Sequence, residues 1–185
     1  AMFLEVWQKY FCCMVQKTQK EYNGNSKMGR INMKKRCFKS PLGWMLAVEE
    51  DGALIGLDFV EEEIQDARDD SPVLMMTQTQ VTEYFASLRE RFEVPIKLSG
   101  TDFQKKVWAR LMEIPYGQTR SYGQIAAEIG QPKASRAVGQ ANNRNPISII
   151  VPCHRVVGAD GTLTGYGGGM PRKEALLMIE RNLEK

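Results

Sequence analysis

Apolar residues change their spacing along the chain, and each change predicts a different kind of element. From about Lys35 they fall in short segments, Arg36 to Lys39, Trp44 to Glu49 and Ala53 to Val60, which read as strands. Asp51-Gly52 between the last two is a hairpin signal. An acidic loop follows, then Ser71-Pro72 as cap and first residue of a helix. Val73, Thr77, Val81, Phe85, Leu88 and Phe92 recur at near-helical spacing and predict one face of a helix ending near Phe92. Val94 to Ser99 crosses to a second half. There Thr101-Asp102-Phe103-Gln104 fits a capping box, with Phe103, Val107, Trp108, Leu111 and Met112 facing inward until Pro115-Tyr116-Gly117 breaks the helix. Ser121-Tyr122-Gly123-Gln124 is a second capping box, opening a helix that Gly130 stops. Pro132 introduces another, Lys133 to about Ala141, and two short helices joined by Gly-Gln-Pro read as a helix-turn-helix. The unbroken apolar run Ile147 to Val151 reads as a buried strand, and a last helix is expected from Pro171 to about Leu183.

Residues 1–32 fit this pattern least. Phe3, Leu4, Val6, Trp7, Tyr10, Phe11 and Met14 form one face of a short amphipathic helix. Glu5, Gln8 and Lys9 interrupt the run, which excludes a membrane span and argues against a signal peptide. Ala1 ahead of Met2 reads as a cloning remnant, with Met28 and Met33 as alternative starts. The other reading is an added helix capping the first domain, and both stay open.

With 185 residues the chain is long enough for one medium domain or two small ones sharing a core. Its net charge of +3 is unevenly placed: residues 1–37 carry +6, residues 38–98 carry −8 and residues 99–185 carry +5. An acidic middle followed by a basic end points to a polyanion facing the second half alone. Cys12, Cys13, Cys37 and Cys153 show no paired framework and no Cys-x-x-Cys spacing, so all four read as reduced thiols of a cytosolic protein. Nothing in residues 33–98 suggests chemistry, and their carboxylates read as a solvated face.

The candidate chemistry lies in Pro152-Cys153-His154-Arg155, which sets a cysteine beside the only histidine of the chain and a cation. That neighbourhood favours the thiolate, the reactive form of cysteine. A Cys-His pair in sequence is weak evidence alone, because free cysteine is usually a small buried hydrophobe and neighbours on a strand face opposite ways. The surrounding glycines Gly158, Gly161, Gly165, Gly167, Gly168 and Gly169 mark a segment built for close backbone approach.

Pro152 to Val156, together with Ser121-Tyr122, Lys133 to Gly139, Asn145-Pro146, Gly165 to Gly168 and Glu180, resembles the O6-alkylguanine-DNA alkyltransferases, or methylated-DNA–protein-cysteine methyltransferases. The resemblance covers roughly residues 33–185. It implies an α/β (α+β) fold. A small N-terminal antiparallel-sheet domain of ribonuclease H-like topology (33–98) would precede a C-terminal helical, winged-helix-like domain containing the helix-turn-helix (99–185). Residues 1–32 would be an extension of unassigned role. It implies direct-reversal repair, in which the alkyl group of O6-alkylguanine, and more weakly of O4-alkylthymine, passes to Cys153 once per molecule. No metal or organic cofactor takes part. In this reading His154 is the base through a bridging water, Glu180 orients it, and Asn145 holds the turn. Tyr122, Val156, Tyr166 and Gly167 border the flipped base, Val156 and Cys153 through their carbonyls. Lys133, Ser135, Arg136 and Ala137 meet the minor groove of double-stranded DNA, with Arg136 replacing the extruded nucleotide. Ser148, where some relatives have proline, and Asn143, where glycine is common, are departures that bear on pocket width. The partner is duplex DNA carrying alkylated guanine and not a membrane. The protein would act as a monomer, in the cytoplasm with the bacterial nucleoid or in a eukaryotic nucleus. Two other classes share the features: a non-catalytic binder of alkylated DNA, and a DNA-binding redox regulator sensing through Cys153.

Overall fold

The computed structural model describes residues 33–181, so the helical face expected within residues 3–14, together with Cys12 and Cys13, lies outside the described residues. Three antiparallel strands come first, β1 (Met33–Ser40), β2 (Gly43–Glu50) and β3 (Ala53–Val60), in the order β1-β2-β3. Asp51 and Gly52 both take positive φ, 51° and 80°, as a two-residue hairpin turn with the twist of its flanking strands requires. Helix α1 (Pro72–Phe85) crosses the sheet, with Ser71 accepting from Leu74 N as its N-cap.

The second half is helical: α2 (Asp102–Met112), α3 (Tyr122–Glu128), α4 (Ser135–Asn143) and α5 (Met170–Arg181). Both expected capping boxes are formed, at Thr101 with Gln104 and at Ser121 with Gln124. Gly130, at φ 74°, ends the first limb of the helix-turn-helix α3–α4. A short parallel pair, β4 (Arg120–Ser121) and β5 (Val156–Val157), ties the entrance of α3 to the segment that carries Cys153.

Sheet and helices share one core. Met45, Leu57, Val81 and Tyr84 from the first half and Trp108, Leu111, Ile147 and Ile149 from the second belong to the same buried cluster. Each such side chain contributes about 1.5–3 kcal/mol by leaving water. The outer edge of β3 is where the halves are stitched together. Leu54 pairs with the Pro95–Lys97 backbone, and Leu57 N donates to Pro146 O while Ser148 N donates to Leu57 O, at 2.9 and 2.7 Å. The backbone leading to Cys153 is thus hydrogen-bonded to the sheet.

Four expectations are corrected. Helix α1 stops at Phe85, not near Phe92, because Ser87 turns left-handed at φ 58°. Ser87 N then donates to Tyr84 O and Leu88 N to Glu83 O, a Schellman closure. Leu88, past that stop, is 80% exposed instead of facing the core, and Met112, at the last position of α2, is 44% exposed. Helix α4 begins at Ser135 and reaches Asn143, since Pro132 to Ala134 form a turn closed by Ala134 N on Gln131 O. Finally, Ile147 to Val151 is no strand. It is a buried turn closed by Val151 N on Ile147 O, with Ile149 at φ 71°, and only Ile147 bridges β3.

A left-handed serine costs roughly 1 kcal/mol that glycine avoids. Ser87→Gly is therefore expected to stabilise the protein by about that amount and raise the thermal midpoint by about 2–4 °C. An unchanged or lowered midpoint in calorimetry would contradict the assigned helix stop.

Candidate active site

The turn that replaces the expected strand is held from inside by one side chain. Asn145 Oδ1 accepts from Ile147 N at 3.1 Å, and its Nδ2 donates to Val151 O at 2.7 Å and Ile147 O at 3.3 Å. Asn145 is buried, and its amide supplies the partners that a neighbouring strand would otherwise have to supply. The same Nδ2 lies 3.1 Å from Cys153 Sγ, so the residue that shapes the turn also touches the sulfur. Cys153, His154 and Arg155 follow on a single 3-10 turn, which aims three consecutive side chains in different directions.

His154 and Arg155 both converge on Glu180 of α5, which is 1% exposed. His154 Nε2 is 2.7 Å from Glu180 Oε1; Arg155 donates through Nε to Oε2 at 2.9 Å and through Nη2 to Oε1 at 3.0 Å. Tyr84 of α1 donates to Oε1 at 2.8 Å, and Gly117 N donates to Oε2 at 3.2 Å. Burial alone would lift the Glu180 carboxyl, but its bonds to His154 and Arg155 outweigh that and bring it down to about 2. Burial holds the His154 imidazole below its usual range, against the pull of Glu180, so the ring is neutral near pH 7. With the carboxylate on Nε2, that nitrogen carries the proton and Nδ1 is the acceptor; Nδ1 is buried and has no partner among the described residues.

Cys153 is 4% exposed, and burial pushes its thiol up to about 11, while the Asn145 bond pulls the other way. The resting group is a thiol, contrary to the expected thiolate. The first reason is burial, and the cation near the thiol in sequence, Arg155, is turned to Glu180 and not to the sulfur. The other cation in range is Lys173, itself fully buried, whose Nζ donates to the carbonyls of Val156 and Thr164. Burial brings that amine down to about 8, and the nearby Cys153 works against the fall.

The residues expected to border a base stand around this turn in a closed-up arrangement. The Tyr122 hydroxyl donates to Thr164 O at 3.0 Å and Gly165 O at 3.3 Å, so it is engaged with the glycine-rich loop. Val156 O accepts from Lys173 and keeps a second lone pair, whereas Cys153 O accepts both from Asn142 Nδ2 at 3.2 Å and from Val156 N, which closes the 3-10 turn. The Tyr166 hydroxyl is buried near Ser148, and Gly167 adjoins Tyr166 on the loop. Ser148 Oγ donates to Asp58 Oδ1 at 2.9 Å, a buried carboxyl that desolvation lifts to about 7. Arg136, Ala137 and Lys133 are exposed and Ser135 half-buried at the start of α4. Trp108 Nε1 anchors the far end of that helix by donating to Ala141 O at 2.9 Å. Among the described residues no three His, Cys, Asp or Glu side chains come together as a metal site.

Sequence reasoning missed Tyr84, Asn142, Lys173 and Asp58, and it set Arg155 beside the thiol where the structure turns it to Glu180. Tyr84 was legible in part: Thr77, Gln80, Val81 and Tyr84 sit at i, i+3, i+4 and i+7, all buried. The buried charges of Lys173 and Asp58 leave no local signal.

Two family models match the chain: 6-O-methylguanine DNA methyltransferase, ribonuclease-like domain, over residues 33–98, and 6-O-methylguanine DNA methyltransferase, DNA binding domain, over residues 102–182. The methylated-DNA–protein-cysteine methyltransferase of Mycobacterium tuberculosis is 48% identical over 151 residues, 80% of this chain and 92% of the relative. That of Methanosarcina acetivorans is 49% identical over 148 residues, 77% of this chain and 95% of the relative. A crystal structure of the Mycobacterium tuberculosis protein in complex with DNA superposes with a TM-score of 0.74 at 47% identity, covering 80% of this chain and 93% of that one.

The Glu180 pairings have a pH signature. Its folded carboxyl lies below the ordinary 4.5, so the stability it contributes is fully present above that pH and is lost as pH falls toward about 2. Glu180→Gln, which strands the buried Arg155 cation, is expected to cost about 3–5 kcal/mol near neutrality. Urea titrations should show the gap from wild type narrowing over that acid window. Asp58, whose raised carboxyl acts in the opposite sense, cancels in the difference. A gap independent of pH would contradict the ion-pair assignment.

Proposed function

The chain belongs to the 6-O-methylguanine DNA methyltransferase family, and on that premise we propose that it moves the alkyl group of O6-alkylguanine in duplex DNA onto Cys153, once per molecule. The activity is that of a methylated-DNA–protein-cysteine S-methyltransferase, and the reaction is DNA repair by alkyl transfer. The observation that carries the assignment to Cys153 is the contact set of one 3-10 turn. A buried thiol touches Asn145, and the next residue is a neutral imidazole held by a carboxylate with its other nitrogen free to accept.

In this reading His154 Nδ1 takes the thiol proton through a bridging water, and Glu180 balances the imidazolium that forms. The sulfur lone pair attacks the alkyl carbon in line with the breaking carbon–oxygen bond, whose electrons pass into the guanine ring. The Tyr122 hydroxyl leaves Thr164 O and Gly165 O to donate to the ring nitrogen that gains this charge. The remaining lone pair of Val156 O, and Cys153 O once Asn142 lets go of it, accept from the exocyclic amine, and Tyr166 and Gly167 border the alkylated oxygen. The product is a thioether, from which water cannot easily displace the alkyl group, and so the protein is spent.

The DNA would be met by α4, from the minor groove and by a single copy of the protein, with residues 33–98 and 99–185 acting as scaffold and working domains. The base must leave the stack to reach a sulfur that is 4% exposed. Arg136, exposed on α4, fills the place it vacates, with Lys133, Ser135 and Ala137 against the backbone. Alkylthymine is a second, weaker substrate of the same pocket.

Intact-mass measurement after incubation with a methylguanine duplex tests the chemistry. Wild type should gain one methylene, on Cys153 alone, and stop, while Cys153→Ser binds DNA and gains nothing. Repeated turnover, or label on Cys37, would refute the mechanism. A methylguanine duplex and free alkylguanine base together test the flipping. Arg136→Ala should react about tenfold or more slowly with the duplex and at nearly the wild-type rate with the free base. Equal loss on both substrates would remove Arg136 from the flipping step.

A further inference from the structure

We propose that Tyr84 is a positioning residue for alkyl transfer, its hydroxyl sharing one oxygen of Glu180 with His154, so that the antiparallel-sheet half takes part in the reaction. The inference rests on the proposed role of His154 and Glu180 and adds a residue to it.

Oxygen Oε1 of Glu180 carries three donors, His154 Nε2 at 2.7 Å, Tyr84 OH at 2.8 Å and Arg155 Nη2 at 3.0 Å. Arg155 grips both oxygens and fixes the plane of the carboxylate, while Gly117 N closes Oε2. Tyr84 is fully buried, and its ring is locked edge-on against Phe85 and Tyr116, at centroid distances of 5.5 and 6.0 Å, and tilted against Phe92 at 5.7 Å. Burial, and then the neighbouring Glu180, hold the phenol well above its usual range, so it stays a donor throughout.

Three donors on one oxygen compete for its electron density. Each one present weakens the carboxylate as an acceptor for the others. Tyr84 therefore limits how strongly Glu180 draws charge onto His154, and it helps keep the resting imidazole neutral. Only the neutral ring can receive the proton released by Sγ; Tyr84 itself neither gains nor loses one. The ionisable groups facing this cluster are His154 and Arg155 on the 3-10 turn, Tyr84 on α1, Tyr116 on its loop, and Lys173 on α5, whose charge also weighs on His154.

A protein that reacts once separates folding from chemistry. The alkyl groups accepted at exhaustion count the folded molecules, and the rate constant reports the reaction. Tyr84→Phe should reach the wild-type endpoint about tenfold more slowly at neutral pH, with the acid limb of its rate profile moved to higher pH. Phe92→Leu, which disturbs the same ring without touching the hydrogen bond, should leave the acid limb in place. Site-directed 3-fluorotyrosine at position 84 keeps the fold and is a stronger donor, so it should move the limb to lower pH. That third protein decides the matter if Tyr84→Phe fails to fold. An acid limb unmoved by fluorotyrosine overturns the role of Tyr84. A wild-type protein that accepts no alkyl group overturns the underlying reading instead, and Tyr84 with it.

Discussion

One buried carboxylate sets the terms for the rest of this molecule. An ionised group 1% exposed survives only if its charge is matched and its lone pairs are filled. Glu180 meets both demands with a guanidinium, an imidazole, a phenol and a main-chain amide drawn from three separate stretches of chain. Arg155 in turn reaches Ile114 O at 2.6 Å, past the end of α2, and lies over the Tyr116 ring. Elements distant in sequence are thereby required to arrive in register, since a missing partner leaves a charge stranded in the core. The final helix is held in place by chemistry as much as by Leu176 and Leu177 on its inner face.

Burial explains why the nucleophile rests as a thiol, and the pairing at Glu180 keeps the Arg155 charge from offsetting it. A cysteine beside His-Arg in sequence suggests a ready thiolate, but here the imidazole is neutral, the guanidinium is turned to Glu180, and the buried sulfur has an amide, a carboxyl and Lys173 for company. Reactivity then depends on a proton acceptor already in place and on a substrate that brings the alkyl carbon to the sulfur. For a group that can be used once, a protonated resting state limits loss to chance oxidation or stray electrophiles.

What was legible in the sequence was local. Capping boxes at Thr101 and Ser121, the Asp51-Gly52 turn and the Ser71-Pro72 helix start each depend on a few adjacent residues, and all are formed. The stop at Ser87 was hidden because a left-handed serine is indistinguishable in sequence from any other. The apolar run after Pro146 misled for a different reason. Asn145 fills the backbone partners of that run from within, so a turn became possible where periodicity saw a strand. Within the catalytic group, Cys153, His154 and Glu180 were legible through the resemblance to a family. The burial of Tyr84 was legible in its helical spacing but its bond to Glu180 was not, and Lys173 could be found only in three dimensions, because burial of a charged group is a property of the whole fold.

The stitched edge of β3 also has a bearing on synthesis. The three strands pair through tight hairpins and can form as soon as they leave the ribosome, but Leu54 and Leu57 keep open backbone groups until Pro95–Lys97 and Pro146–Ser148 arrive. At about 5–20 residues per second the second of these comes roughly 5–20 seconds after β3 itself. During that interval the nascent chain carries an unguarded strand edge flanked by apolar side chains, open to pairing with another molecule. Delivery of the reactive turn is thus also the event that shields the sheet, while Glu180, which completes the chemistry, follows on the last helix.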